Sequence, residues 1–351
     1  VFATASERLR RRVPHDAAVW LATDPGTGLP TAPTLRENLD GFGVDACRRG
    51  WELEFMVEDV NLYRTLARAA TPAAGLRRAT GDRPARSPRY RDLVRPHGFG
   101  DELRGVLRAG GRPWGFVALF RAEGEPAFDG DATEVLAGLS EPLGAAVRER
   151  ARPAPGGPGA PAGRPGPGLL LFAPTGELIS ANDDALAWLD ELAGDGSERG
   201  AFDVPLPMAV VGTLMRARAI AEEREGGSAR SRIRSGASGR WLVCHASCLR
   251  DADGAIGNTA LVIEPATASE VAPLIAQAYE LTPREEQVTE LIARGLGTSE
   301  IASELHLSAH TVRDHVKAIF EKVGVRARGE LVATLFTEHL APIHLGSGPG
   351  R

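Results

Sequence analysis

Leu281-Thr282-Pro283-Arg284-Glu285, and later Ser308-Ala309-His310-Thr311-Val312-Arg313-Asp314-His315-Val316-Lys317, mark the starts of two helices. Thr282 fits an N-cap, Pro283 the favoured first helical position, and Glu285 and Glu286 the first turn, where the dipole favours carboxylates. Val288, Leu291 and Ile292 give that helix an apolar face, and Gly295 and Gly297 end it. The spacing predicts a second helix over 298–306, with Ile301, Ala302 and Leu305 inward. Ser308 then caps a third, over 310–323. At about 100° per residue, Val312, Val316, Ile319, Phe320 and Val323 share one arc. His310, Asp314, Lys317 and Glu321 lie opposite, with Arg313 nearer the boundary. Helix, tight turn and a presented polar helix make a helix-turn-helix. Arg326 and Arg328 follow in a loop, and a fourth helix is expected over 330–340.

Charge is polarised inside this segment. Residues 280–309 hold two arginines against six glutamates, whereas residues 310–330 hold five cations against three carboxylates. The third helix and its loop should attract phosphate while the scaffold should not. Lys317 and Lys322, the two lysines of the chain, both fall in that helix.

Leu281 to Glu285, Gly295, Glu300-Ile301-Ala302, Leu307-Ser308, Thr311-Val312-Arg313, His315-Val316, Gly324-Val325, Arg328 and Leu331-Val332 together resemble the LuxR-type helix-turn-helix. The resemblance implies a four-helix DNA-binding domain over 281–342 whose third helix enters the major groove. By position it implies DNA contacts from Ser308, His310, Thr311, Arg313, Asp314, His315, Lys317, Arg326 and Arg328. Arg313, Asp314 and Lys317 would meet base edges or phosphates; Ser308, Thr311, Arg326 and Arg328 would favour the backbone. Asp314 and Ser299 depart from residues frequent in the family and reduce basic character. His315, at the edge of the apolar arc, suits packing or phosphate contact better than base readout. A dimer through the fourth helix is expected, with Leu331, Val332 and Leu335 on one side, Phe336 and His339 adjoining, and Leu340 beyond.

Working outward, residues 266–280 read as a connecting helix. Residues 168–265 read as a strand from Gly168 to Phe172, a turn at Pro174-Thr175-Gly176, and a second strand from Leu178 to Ala181. Asn182 then caps a helix bearing Ala185, Trp188 and Leu189. Another helix is expected around 208–225. A late hairpin turns at Asp251-Ala252-Asp253-Gly254. This order resembles a PAS domain. Residues 1–150 read as a helix from Phe2 to Val13, a buried strand from Ala17 to Ala22, and a helical stretch over 51–70. A hairpin at Gly110-Gly111 and a closing helix over 133–150, kinked or shortened by Pro142, complete it. Element order and Trp51-Glu52-Leu53-Glu54-Phe55 resemble a GAF sensor domain, which implies either a small-molecule site or a dimerisation scaffold. Between the two, residues 151–168 hold six prolines, six glycines, four alanines and two arginines. That composition predicts a disordered linker over 151–167, and residues 343–351 read as a disordered tail.

Composition narrows the chemistry. Of 351 residues, 43% are apolar and 25% charged, and the net charge is −5, so any nucleic-acid surface must be local. With lysine only at 317 and 322, after Val316 and Glu321, there is no P-loop. A phosphoacceptor receiver domain is disfavoured for the same shortage. Three cysteines, Cys47, Cys244 and Cys248, fit a reducing cytoplasm rather than a disulfide framework. Strand alternation separates His245 from Cys244 and Cys248, so the trio reads as structural, not as a metal site. No apolar run approaches 18 residues, the membrane-spanning length. Arg8, Arg10, Arg11 and Arg12 argue against a signal peptide. The start at Val1 reads as a fragment or processed form.

The expected protein is multidomain: two α+β sensor-type domains followed by an all-α helix-turn-helix output. It is a cytoplasmic, non-enzymatic regulator of transcription that binds double-stranded DNA as a homodimer and meets RNA polymerase. No cofactor is predicted; a small ligand in either sensor domain is left open. The competing expectation is a protein-interaction regulator with weak DNA binding, suggested by the net acidity.

Overall fold

The structure is a computed structural model that describes residues 1–39, 41–152, 166–193 and 206–337. In the first region α1 (Phe2–Arg10) leads into β1 (Ala17–Thr23) and β2 (Pro30–Glu37). Next come α2 (Val44–Phe55), α3 (Tyr63–Leu66), β3 (Ala73–Gly75) and α4 (Leu76–Ala79). β4 (Phe99–Ala109), β5 (Arg112–Ala122), α5 (Gly130–Gly138) and α6 (Ser140–Ala151) close it. The strands form one antiparallel sheet ordered β2-β1-β5-β4-β3. Gly110 and Gly111 take φ of 58° and 74° at the β4–β5 turn, values that side chains avoid.

Three sequence expectations shift here. The helix expected over 51–70 begins at Val44 and stops at Phe55, with a short second helix at Tyr63–Leu66. Trp51, Leu53, Glu54 and Phe55 are buried, so tertiary contact sets its bounds more than local propensity does. The closing helix is two helices, broken at Leu139 rather than at Pro142, which sits in the tolerant first turn of α6. β2 was not assigned from sequence; it carries Pro30 and Pro33 and lies at the sheet edge, where prolines are tolerated.

The second region runs β6 (Gly168–Phe172), β7 (Leu178–Ala181), α7 (Asp183–Leu192), α8 (Met208–Ala221), β8 (Arg230–Arg234), β9 (Trp241–Arg250) and β10 (Ile256–Pro265). Asn182 Oδ1 accepts from Ala185 N at 2.9 Å, the expected cap. The sheet order is β7-β6-β10-β9-β8. Numbered within each region, both sheets are therefore second, first, fifth, fourth, third. The sequence shows no internal repeat, yet the chain path repeats. Cys244 is buried, His245 exposed and Cys248 half-buried, as strand alternation requires. Trp188 Nε1 donates to Gly166 O at 2.9 Å, and Asn182 Nδ2 to Pro167 O at 3.0 Å, so the end of the expected linker belongs to the fold. Residues 153–165 of that linker, residues 338–342 of the expected output domain and the tail 343–351 lie outside the described residues.

Val1–Arg148 and Gly163–Pro265 form one compact unit. Its apolar core is continuous, with Trp51, Phe55 and Phe116 in the same cluster as Trp188, Val211 and Leu214. Gly212 of α8 faces Pro30, and a Cβ there would sit 2.9 Å from the proline ring. At the rim of the contact Asp24, wholly buried, takes a two-pronged bond from Arg232: Nε to Oδ2 at 2.6 Å and Nη2 to Oδ1 at 2.7 Å.

The second unit takes in Glu149–Ala162 and Ala266–Arg351. Its helices are α9 (Ala268–Ala278), α10 (Pro283–Ala293), α11 (Thr298–Glu304), α12 (Ala309–Val323) and α13 (Arg328–Val332), followed by a π-helical turn, Ala333–Thr337. Arg152 Nε donates to Ala278 O at 3.0 Å, and the guanidinium lies 5.0 Å from the centre of the Tyr279 ring. Leu331 and Leu335 are buried, and α9 packs against the Ala333–Thr337 turn.

Candidate nucleic-acid interface

The presented helix is set by its caps. Ser308 Oγ accepts from Thr311 N at 3.0 Å and lies 2.8 Å from Thr311 Oγ1, while Gly324 ends α12 at φ 77°. Thr282 and Glu285 form a reciprocal capping box at the start of α10, with Pro283 beside it. Val312, Ile319 and Val323 are buried against the unit, which fixes the roll of α12. Val316 and Phe320, assigned by spacing to the same arc, are only half-buried. With Val325 they line an open groove of about 500 Å³ edged by Arg313, Lys317 and Arg326. The missed signal is positional: Val316 and Phe320 fall at the margin of an arc too wide for the partner helices to cover.

Among the nine expected DNA-contacting residues, the structure brings His310, Arg313, Asp314 and Lys317 onto one exposed strip. His310 pairs with Asp314 at 3.6 Å and Lys317 with Glu321 at 4.0 Å. Exposed pairs one turn apart contribute only about 0.3–0.5 kcal/mol, so an arriving phosphate can take Lys317 from Glu321. Among the described residues the Arg313 and Arg326 guanidinium groups have no acidic partner; Arg326 bonds Glu330 only through its backbone N–H, at 2.7 Å. His315 is half-buried on the flank. The Ser308 hydroxyl is engaged in capping, with Thr311 beside it.

Two cations counted into the positive patch are bonded to other segments of the unit. Lys322 Nζ donates to Glu285 Oε2 at 2.6 Å and to Glu280 O at 3.0 Å, fastening α12 to the start of α10. Burial pushes the Glu285 carboxyl up, but the hydrogen bonds from Lys322 and Thr282 outweigh it, and its pKa lies below the ordinary value. Arg328 donates to Leu296 O and Thr298 Oγ1, both at 2.8 Å, and holds the α10–α11 loop. Arg328→Ala should therefore destabilise this unit by about 1–3 kcal/mol and leave the salt dependence of DNA binding unchanged. Urea melts beside salt titrations check it; a salt slope lower by one would return Arg328 to the phosphate contacts.

Residues 279–335 match the model of the family described as bacterial regulatory proteins, luxR family. Over 55 residues, 16% of the chain, the sequence is 46% identical to the spore germination protein GerE of Bacillus subtilis (strain 168), covering 74% of that protein. The chain belongs to the luxR family. Residues 279–335 are thus the helix-turn-helix unit of that family. A second luxR-type relative, the transcriptional regulatory protein DesR of Bacillus subtilis (strain 168), is 44% identical over 59 residues, 17% of this chain and 30% of DesR. The chain therefore spans less than a third of DesR's length. Escherichia coli SdiA is 11% identical over 97% of this chain and 90% of its own, with a TM-score of 0.34, too low to relate the two architectures.

Proposed function

We propose that the whole chain is a sequence-specific regulator of transcription in which residues 1–265 sense a signal and the luxR-family unit delivers it to DNA. The observation that carries this is α12: capped at both ends, rolled by three buried side chains, and presenting Arg313 and Lys317 beside Arg326. The finer reading of residues 1–150 as GAF-like and 168–265 as PAS-like is supported by two antiparallel sheets of one strand order. We assign the chain no reaction, and we place its work in the cytoplasm with RNA polymerase as an eventual partner.

A homodimer on a pseudo-palindromic site, with half-sites about 34 Å apart, suits this output. Of the fourth-helix residues expected at its contact, Leu331 and Leu335 are buried within the chain and Val332 is half-buried. His339 and Leu340 lie outside the described residues. Two of the side chains assigned to a second copy, Leu331 and Leu335, serve the chain's own core, and on that ground we move the proposed dimer contact toward residues 1–265. The competing reading, protein interaction with weak DNA binding, gains one observation: the apolar groove beside Phe320.

Selection of bound sequences from a random DNA pool, followed by salt titration of the full chain, tests the proposal. Arg313→Ala should weaken the selected site by about 1–3 kcal/mol and relax preference at one position, if it reads a base. Lys317→Ala should lower affinity evenly and reduce the salt slope by about one, if it meets phosphate. Failure to enrich any sequence, with binding insensitive to salt, would favour the protein-interaction reading.

A further inference from the structure

Between the first sheet and α2 lies a cavity of about 100 Å³. Its walls include Trp51, Tyr63 and Phe120, and Met208, the first residue of α8, reaches it from the second region. The Tyr63 ring is stacked on Phe116 at 4.2 Å, and the Arg104 guanidinium lies 4.3 Å from the Tyr63 ring centre. The aromatic wall is therefore rigid, while the Met208 thioether, unbranched, is the adjustable part.

The floor is ionic, and it is built. Arg104 Nε donates to Glu102 Oε1 at 2.9 Å and its Nη1 to Glu54 Oε2 at 2.8 Å. Arg89 Nε donates to the other Glu102 oxygen at 2.7 Å, and its Nη1 lies 3.6 Å from Asp59 Oδ2. Glu54 Oε1 accepts from Tyr63 N at 2.7 Å. Every carboxylate oxygen named here already has a donor. Two donors do not have an acceptor: among the described residues nothing accepts from Arg104 Nη2 or from the Tyr63 hydroxyl, although both residues are only 5% exposed. Arg36, which also lines the cavity, bonds only the Leu39 and Phe42 carbonyls, through Nη2. Along the cavity wall two guanidinium groups, Arg36 and Arg104, stand beside two carboxyl groups, Glu54 and Glu102, so the wall presents no strong excess of either sign to a buried ion.

We propose that this cavity binds an uncharged, single-ring-sized molecule carrying a carbonyl or similar acceptor, with Arg104 and Tyr63 as donors and Met208 yielding to admit it. The assignment rests on reading residues 1–265 as the sensory part. The space is somewhat below the ~150 Å³ that admits benzene to an apolar cavity, so Met208 must move on binding. Because Met208 begins α8, occupancy is felt by the second region through that helix.

The test uses the full chain with methyl-labelled methionine. Its three methionines, Met56, Met208 and Met215, give three resonances. Benzamide, benzoate and benzamidinium are matched in shape and differ in charge. Benzamide should shift the Met208 methyl saturably, and both ions should bind at least about ten-fold more weakly, since each buries an uncompensated charge. Gly50→Leu should abolish the shift: a Cβ at Gly50 meets only Leu93 Cδ2, at an ordinary 3.5 Å, and the rest of the new side chain occupies the space. If that variant melts early, the order of the three probes on the unaltered chain still decides. No saturable shift, or equal binding of the three, overturns the site; tighter binding of benzoate overturns the uncharged class. DNA binding is measured on the same preparation. DNA binding without benzamide uptake sinks the cavity alone, and benzamide uptake without DNA binding supports the cavity while sinking the regulator reading alone.

Discussion

Arg104→Met will lower the stability of the unit that contains both sheets by about 3–5 kcal/mol, the largest loss expected from any single change described here. Arg104 is the cation between Glu54 and Glu102, and all three are buried. Methionine fills much of the same space, so the loss comes from charge and not from a void. Glu102 keeps Arg89, whereas Glu54 is left without its ion-pair partner. The pH dependence carries a sign for each carboxyl. Burial pushes Glu102 up, but Arg104 and Arg89 outweigh it and hold its pKa below the ordinary value. Its contribution is thus full above the unfolded pKa and lost as pH falls through the folded one. Burial raises the Glu54 pKa, and Arg104 and Arg89 offset this only in part. Its contribution has the opposite sense and weakens stability as pH rises. Without Arg104 both carboxyls titrate higher, so the variant's deficit should be smaller near pH 5 than near pH 7. Urea melts at the two pH values check this. A deficit under about 1 kcal/mol, or one that grows on acidification, would mean that the cluster is solvated rather than buried.

Asp24→Ala should cost about 3–4 kcal/mol and should be felt across both sheets. Asp24 has no exposed surface and Arg232 little, and the bond joins a turn of the first region to a strand of the second. Removing the carboxylate takes the two-pronged acceptor from the Arg232 guanidinium in a contact that Gly212 and Pro30 keep tight. The double variant Asp24→Ala, Arg232→Leu should recover part of the loss, because the half-buried guanidinium that lost its two-pronged acceptor goes with it. Hydrogen exchange reads the outcome. Faster exchange in β1 and β9 together is expected; faster exchange confined to β8 and β9 would mean that the two sheets open independently.

The output domain was legible because its information is local. Thr282, Pro283 and Glu285 announce α10, and Ser308 and Gly324 bracket α12, through bonds that span three or four residues. The hairpin at Gly110-Gly111 and the Asn182 cap were legible for the same reason. The helix bounds around Trp51 were not, since nothing local stops a helix at Phe55; burial of its apolar and acidic face does. Nor were the bonds of Lys322 and Arg328, whose partners Glu285 and Leu296 lie 37 and 32 positions away. Sequence counted them as cations free for phosphate because their partners are remote in the chain.

By itself, then, the sequence determined which segments become helix or strand where caps and glycines speak, and that one helix presents a polar face suited to DNA. Only the tertiary structure decided that two sheets of one strand order share a core. It also decided that five charges scattered from Glu54 to Arg104 meet in one dry cluster, and that Leu331 and Leu335 are covered by the chain itself. The physical reason is range. A cap is a contact between near neighbours and is written in the chain, whereas burial is a property of a place that distant segments make together.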